Sequence, residues 1–188
     1  YNSKKNHKWR EFYEQVQEKA NIDIYARMAY IDTMTGLGNR TAFLEENKSN
    51  AIFPGMISYI MMDANNLKTI NDTLGHNKGD ELIITIAKCM RKAVGHNGQC
   101  YRIGGDEFVI ILKNKTAAET EEIINKVRCE IEFADKQSDI TISVAIGYVW
   151  TDTEQKNLED LMQHADDEMY QDKKKTKENK SKENTHSI

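Results

Sequence analysis

Two β-rich stretches meet at a pair of glycines in Cys100-Tyr-Arg-Ile-Gly-Gly-Asp-Glu-Phe-Val-Ile-Ile-Leu112, and no other segment constrains the chain as much. Glycine accepts positive φ, so Gly104-Gly105 predicts a hairpin and with it an antiparallel strand pair. A second run, Met56-Ile-Ser-Tyr-Ile-Met-Met62, is almost continuously apolar, as a strand covered on both faces must be. Ile140, Ile142, Val144, Ile146 and Tyr148 alternate with smaller or polar residues and predict a third strand region with one apolar face.

Helices are expected between these strands. One follows the turn-rich stretch Asp32–Asn39, from Thr41. Leu82, Ile83, Ile86, Ala87 and Met90 share one face of a helix over 80–93, with Asp80 able to cap its start. Ile123, Ile124, Val127 and Ile131 mark another over 117–132, and Leu158, Leu161, Met162, Ala165 and Met169 a last one. Helices interleaved with strands around a central hairpin predict the α/β (α+β) class: a mixed, mostly antiparallel sheet flanked by helices. A doubly wound parallel sheet fits this order less well.

Residues 4–30 read as an N-terminal helical extension in which Trp9, Tyr13, Val16 and Ala20 form one apolar stripe. The stripe is about two heptads long, which suits either packing on its own domain or a short seam to a second helix. Beyond Lys173 the chain is lysine-rich and nearly free of apolar residues, as a disordered tail would be. The expected division is a helix over 1–30, one globular domain over 31–178 and a polar tail over 179–188.

Twenty-six basic against 30 acidic residues leave a net charge of −4, which argues against a nucleic-acid partner. Cys89, Cys100 and Cys129 are scattered, without the spacing of a zinc site or the even number of a disulfide framework, and suit a reducing cytoplasm. No apolar run reaches the ~20 residues of a membrane span. The chain opens at Tyr1 in charged sequence, so a piece of a larger protein is expected: a cytoplasmic domain, or the cytoplasmic part of a membrane-bound sensor whose sensory domain lies upstream.

Asp63 follows the buried strand, and Asp106 and Glu107 follow the Gly-Gly pair. Were the two strands neighbours, their carboxylates would converge and could hold Mg²⁺, a hard ion that takes oxygen ligands and often shares them with substrate phosphates. A lone aspartate at a strand end is more often only solvated. Lys68, Asn71, Asp72, His76 and Asp80 fall before the next helix. Their side chains could read a purine edge, or serve as turn and cap residues. Lys173, Lys174, Lys175 and Lys177 could neutralise phosphates, or form a solvated face. The five histidines show no metal-ligand spacing.

These residues resemble a known family. Arg102-Ile-Gly-Gly-Asp-Glu-Phe108 carries the motif that names the GGDEF diguanylate cyclases. Asp32-Thr-Met-Thr-Gly-Leu-Gly-Asn-Arg40 is similar to the family's opening DxLTGLxNR. The segment from Asp63 through Gly75-His76 to Gly79-Asp80-Glu81 resembles its DxDxFKxINDxxGHxxGDE. Ser143-Val-Ala-Ile-Gly147 and Ala165-Asp166 through Tyr170 to Lys173 resemble the closing strand and helix. Five motifs in order over residues 30 to 178 are far more specific than any one alone.

The resemblance implies a palm-like nucleotidyl-cyclase fold and the condensation of two GTP into cyclic di-GMP, with Mg²⁺ (or Mn²⁺), in a face-to-face homodimer. It assigns Asp63, the Ala64 carbonyl and Asp106 to metal, Asp106 to proton acceptance with Glu107 beside it, and Lys68 to transition-state stabilisation. It assigns Asn71, His76 and Asp80 to guanine, and Lys173 and Lys177 to phosphates. Asn65 replaces a second aspartate, Asn66-Leu67 an aromatic pair, and Lys177 an arginine. Gly95 and Gly98 stand where the family's product-inhibition site has arginine and aspartate, so strong feedback through that site is not expected. An active cyclase, a catalytically weak GTP-binding regulatory module and a palm-like scaffold without nucleotide are the readings to separate.

Overall fold

The computed structural model describes residues 2–50, 53–152 and 157–185. Its centre is β1 (Ile57–Ala64), and all eight residues of this strand are buried. The strand pairs antiparallel with β3 (Glu107–Lys113) on one side and β4 (Val144–Thr151) on the other, and β2 (Gly98–Arg102) adds to the far edge of β3. The order is β2-β3-β1-β4. The apolar run therefore lies in the sheet interior, flanked by the hairpin, because only a strand covered on both faces needs no polar alternation.

Ile60, Met62, Ala64, Phe108, Ile110 and Leu112 face one layer, packed with α4 (His76–Val94) and α5 (Ala117–Asp135) through Leu82, Ile83, Ile86, Met90, Ile123 and Val127. Ile57, Tyr59, Met61, Val109 and Ile111 face the other, against α2 (Arg40–Asn50) and α6 (Leu158–Thr185) through Phe43, Ala165 and Met169. Each fully buried side chain of this size contributes roughly 1.5–3 kcal/mol, so the two layers rather than helix propensity hold the domain. Several polar groups inside are paired with one another. The Ser58 and Thr120 hydroxyls meet at 2.8 Å, and the Tyr59 hydroxyl donates to Asn47 Oδ1 at 2.8 Å and accepts from Asn50 Nδ2 at 3.0 Å. Thr116 and Glu119 close a capping box at the start of α5.

The backbone departs from the sequence expectations at four places. A short helix, α3 (Leu67–Leu74), fills the segment between β1 and α4, and α4 begins at His76, so Asp80 sits inside a helix instead of capping it. Gly104 and Gly105 do not adopt positive φ; that conformation occurs at Gly36, Gly75 and Gly95. A Cβ on Gly104 would meet the Glu107 carboxylate, the end of an exposed side chain that would have to turn aside. Ile140 and Ile142 are buried but precede the strand, their amides held by Ser138 Oγ and Asp135 Oδ1. Finally, α6 carries helical backbone through residues 179–185, where a disordered tail was expected; lysine and glutamate extend a helix readily once packing has nucleated it. Residues 186–188 lie outside the described residues.

On the N-terminal helix, α1 (Asn2–Tyr30), the described residues of the stripe, Tyr13 and Val16, are not laid on the domain. Phe12, Tyr13, Val16, Ile22, Ile24, Tyr25 and Met28 are all exposed. The side chains of Trp9 and Ala20 lie outside the described residues. Among the described residues no helix is long and apolar enough to cross a membrane.

Gly147 sets how closely α6 approaches the sheet. A Cβ there would strike the Ala165 carbonyl oxygen and the Met169 amide nitrogen, both main-chain atoms that cannot turn aside. Gly147→Ala should therefore lower stability by roughly 2–3 kcal/mol in a urea titration. An unchanged midpoint would mean that α6 rides further from β4.

Candidate active site

Asp63 is the last-but-one residue of β1 and only 9% exposed. Sequence reasoning placed it just past the buried strand; it lies instead inside the end of that strand, nearly out of water. A carboxylate there needs a partner. Lys173, reaching across from α6, supplies one with its Nζ 2.6 Å from Asp63 Oδ1. The strand register sets Glu107 directly opposite Asp63, on the same sheet face. Like charges opposed across a ladder repel, and the Lys173 ammonium offsets this.

Asp106 stands one residue before β3. Its carbonyl accepts the Ala64 amide at 2.8 Å, which fastens the hairpin turn to the end of β1. The structure thus brings together Asp63, Ala64, Asp106, Glu107 and Lys173. Among the described residues no three His, Cys, Asp or Glu side chains form a ready metal cage. The oxygens near this end that could hold a metal are the Asp63 and Asp106 carboxylates and the Ala64 carbonyl. This set is all oxygen and fits Mg²⁺, which uses one or two carboxylates and completes its shell from water and substrate phosphates.

Of the remaining predicted residues, Lys68, Asn71, His76 and Asp80 lie on α3 and α4. Lys68 lies in the first turn of α3 and is exposed. Asn71 closes the same helix: its carbonyl accepts the Gly75 amide at 3.0 Å. Its side-chain Oδ1 occupies the space where Gly79 would carry a Cβ. This contact locks α3 against α4 and sets Asn71 beside the residue that precedes Asp80. His76 and Asp80 are exposed on the first turns of α4. The Lys177 side chain lies outside the described residues.

Neither Gly95 nor Gly98 readily accepts the arginine and aspartate that the resemblance associates with product inhibition, Gly95 because of its backbone, although the space around it is open, and Gly98 because of crowding. Gly95 has φ 55° and ψ −126°, a conformation that favours glycine. A Cβ on Gly98 would meet the Ile111 carbonyl oxygen at 2.6 Å and the Leu112 side chain more closely still.

Sequence reasoning missed a further set of contacts beside the hairpin. Asp32 accepts from the Thr35 amide at 2.9 Å and the Thr35 hydroxyl at 2.6 Å, and its oxygens lie 3.3 and 3.4 Å from Arg102 Nη1. The signal was present, since both residues fall within quoted motifs and carry opposite charges, but no local spacing reveals a contact between residues so far apart in sequence.

Comparison with known proteins follows this geometry. Residues 29–179 match the family model described as diguanylate cyclase, GGDEF domain. The chain is 34% identical over 86% of its length to the signaling protein YkoW of Bacillus subtilis, and 33% identical over 78% to the diguanylate cyclase DgcN of Escherichia coli. It spans 21% and 38% of those two relatives. The coiled coil and GGDEF domain of DgcB from Caulobacter crescentus, solved with c-di-GMP, superposes with a TM-score of 0.76 at 22% identity, covering 87% of this chain and 91% of that one. The fold is the palm-like one of GGDEF domains. The chain belongs to the GGDEF-domain family of diguanylate cyclases.

Burial works to raise the Asp32 carboxyl, but hydrogen bonds from the Thr35 side chain and backbone, with the Arg102 charge, outweigh it and hold the group below the ordinary 3.8. Its stabilising contribution is therefore complete above about pH 3.8 and lost as pH falls through the lower, folded value. Asp32→Asn should cost roughly 1–3 kcal/mol at pH 7 in urea titrations. The gap from wild type should narrow below pH 3.8. A gap independent of pH would contradict this account of the turn.

Proposed function

We propose that this chain is an active diguanylate cyclase domain, joining two GTP molecules into cyclic di-GMP with release of two pyrophosphates. The observation that carries the reading is the convergence of Asp63, Ala64 and Asp106 where β1 and β3 end together, joined by the Ala64–Asp106 main-chain bond. The name borne by DgcN, a diguanylate cyclase, supports it. In this reading Asp63, the Ala64 carbonyl and Asp106 hold Mg²⁺ or Mn²⁺, which when bound neutralises phosphate charge and polarises the α-phosphate. Asp106 accepts the proton of the 3′-hydroxyl that attacks the α-phosphate of the facing nucleotide, with Glu107 beside it. Lys68 stabilises the charge that builds in the transition state, and Lys173 and Lys177 bind the leaving phosphates. Asn71 and Asp80, at the α3–α4 junction, hold the guanine, with His76 lining the pocket.

The deciding experiment incubates the chain with GTP and Mg²⁺ and identifies products by mass spectrometry. Cyclic di-GMP and pyrophosphate in a 1:2 ratio are expected, with a loss of about 10²-fold or more in Asp106→Ala. GTP binding without product would make the chain a regulatory module instead, and the absence of both would leave a palm-like scaffold.

Catalysis with one nucleotide per domain requires two domains face to face. The exposed apolar side chains of α1 suit a second copy of that helix, since a patch of this kind marks an interaction surface. The solved DgcB fragment likewise includes a coiled coil. Specific activity should therefore rise with protein concentration. Val16→Lys should lower it at low concentration and recover at high concentration, tracked together with mass by analytical ultracentrifugation. Concentration-independent activity in a monomer would overturn the dimer.

A further inference from the structure

Asp106 can serve as proposed only if its side chain leaves the turn in one direction, and that direction is fixed by the two peptide planes on either side of its Cα. The plane after Asp106 is held by the Ala64 amide, which bonds the Asp106 carbonyl at 2.8 Å. The plane before it carries the Gly105 carbonyl. Gly105 is exposed and a Cβ there would touch nothing within 4 Å, so packing does not hold this residue. The turn's own main-chain bonds, from the Ile103 and Gly104 amides at 3.0 and 3.4 Å, both end on the Glu107 carbonyl. Neither reaches the Gly105 carbonyl. Arg102 does: its Nη2 donates to Gly105 O at 2.8 Å.

Arg102 is itself held. Its side chain is 14% exposed, and Nη1 turns to both oxygens of Asp32 and to Met34 Sδ at 3.3 Å. Its Nε is buried without a hydrogen-bond partner, so the guanidinium is committed to these two ends at some cost. Its own amide donates to the Gly38 carbonyl at 2.8 Å, which ties the segment after α1 to β2. Asp32 lies two residues beyond the end of α1. One planar fork therefore spans from the foot of the N-terminal helix to the peptide that aims Asp106.

We infer that Arg102 is a positioning residue for Asp106: it fixes the Gly105–Asp106 peptide plane and takes its own bearing from Asp32. Glycine offers no Cβ to resist rotation of that plane, so without the fork the Asp106 carboxylate loses its direction while the sheet beneath is unchanged. A lysine cannot replace the fork, because one ammonium cannot hold two separated acceptors in a plane.

The test uses Arg102→Met and Arg102→Lys, with two readouts. The first is amide hydrogen exchange resolved by residue, which does not depend on activity. Exchange of the Ala64 and Ile103 amides should quicken about tenfold or more in both variants, while the Tyr59 and Ile110 amides stay as in wild type. The second readout rests on the cyclase reading. At equal folded fraction, kcat should fall about 10²-fold with KM for GTP within about threefold, and lysine should not restore it. Unchanged exchange at Ala64 and Ile103 would overturn the inference. So would a kcat within twofold of wild type, or a loss that merely follows the thermal midpoint. If the wild type forms no product, the cyclase reading fails and the exchange readout still decides whether Arg102 fixes the turn.

Discussion

A carboxylate at the end of a strand that is otherwise uncharged and buried is the constraint around which the rest of this molecule is arranged. Seven residues of β1 are neutral and buried, and Asp63 sits among them with 9% of its surface exposed. Such a charge must meet an opposite one, or a cation, or shift toward its neutral form. Lys173 meets it, and to do so α6 must cross β4 closely enough that Gly147 has no room for a side chain. Glu107, directly opposite in the ladder, adds a second negative charge to the same face. Local electrostatics and sheet packing thus favour positive charge at one spot, the spot where the proposed chemistry needs a metal and a triphosphate.

The turn that carries Asp106 is supported differently. Gly105 has no packing of its own, and the Gly105–Asp106 segment is held by hydrogen bonds from the Ala64 amide on one side and Arg102 on the other. Rigid strands place Asp63, whereas a network of charged side chains places the turn. That network runs back through Asp32 to the foot of α1, whose apolar residues remain exposed.

Much of the fold could be read from periodicity. The almost continuously apolar run of β1 and the hairpin around Gly104 are signals of burial and chain reversal that few other structures satisfy. The short helix α3 could not be read, because Leu67–Leu74 is mostly polar and begins at Asn66 in the left-handed region, φ 64°, where sequence rules expect a turn. Ile140 and Ile142 misled for the opposite reason: they are buried, but in a loop held by side-chain hydrogen bonds, and burial alternates there without a strand. At the site, Asp63, Asp106 and Glu107 were legible because strand ends and glycines mark them. Lys173 by itself looked like part of a solvated run; its place on Asp63 depends on where α6 lies. The Arg102 bridge could not be read from local spacing because Asp32, 70 residues away, is brought to it by tertiary structure.

The central claim is that the common end of β1 and β3 is a metal and nucleotide site. A crystal structure with Mg²⁺ and a non-hydrolysable GTP analogue tests it most directly. The account predicts an ion bonded to the Asp63 and Asp106 carboxylates, Lys173 moved from Asp63 to the phosphates, and guanine against Asn71 and Asp80. A nucleotide bound elsewhere, with the Lys173–Asp63 pair intact, would contradict it.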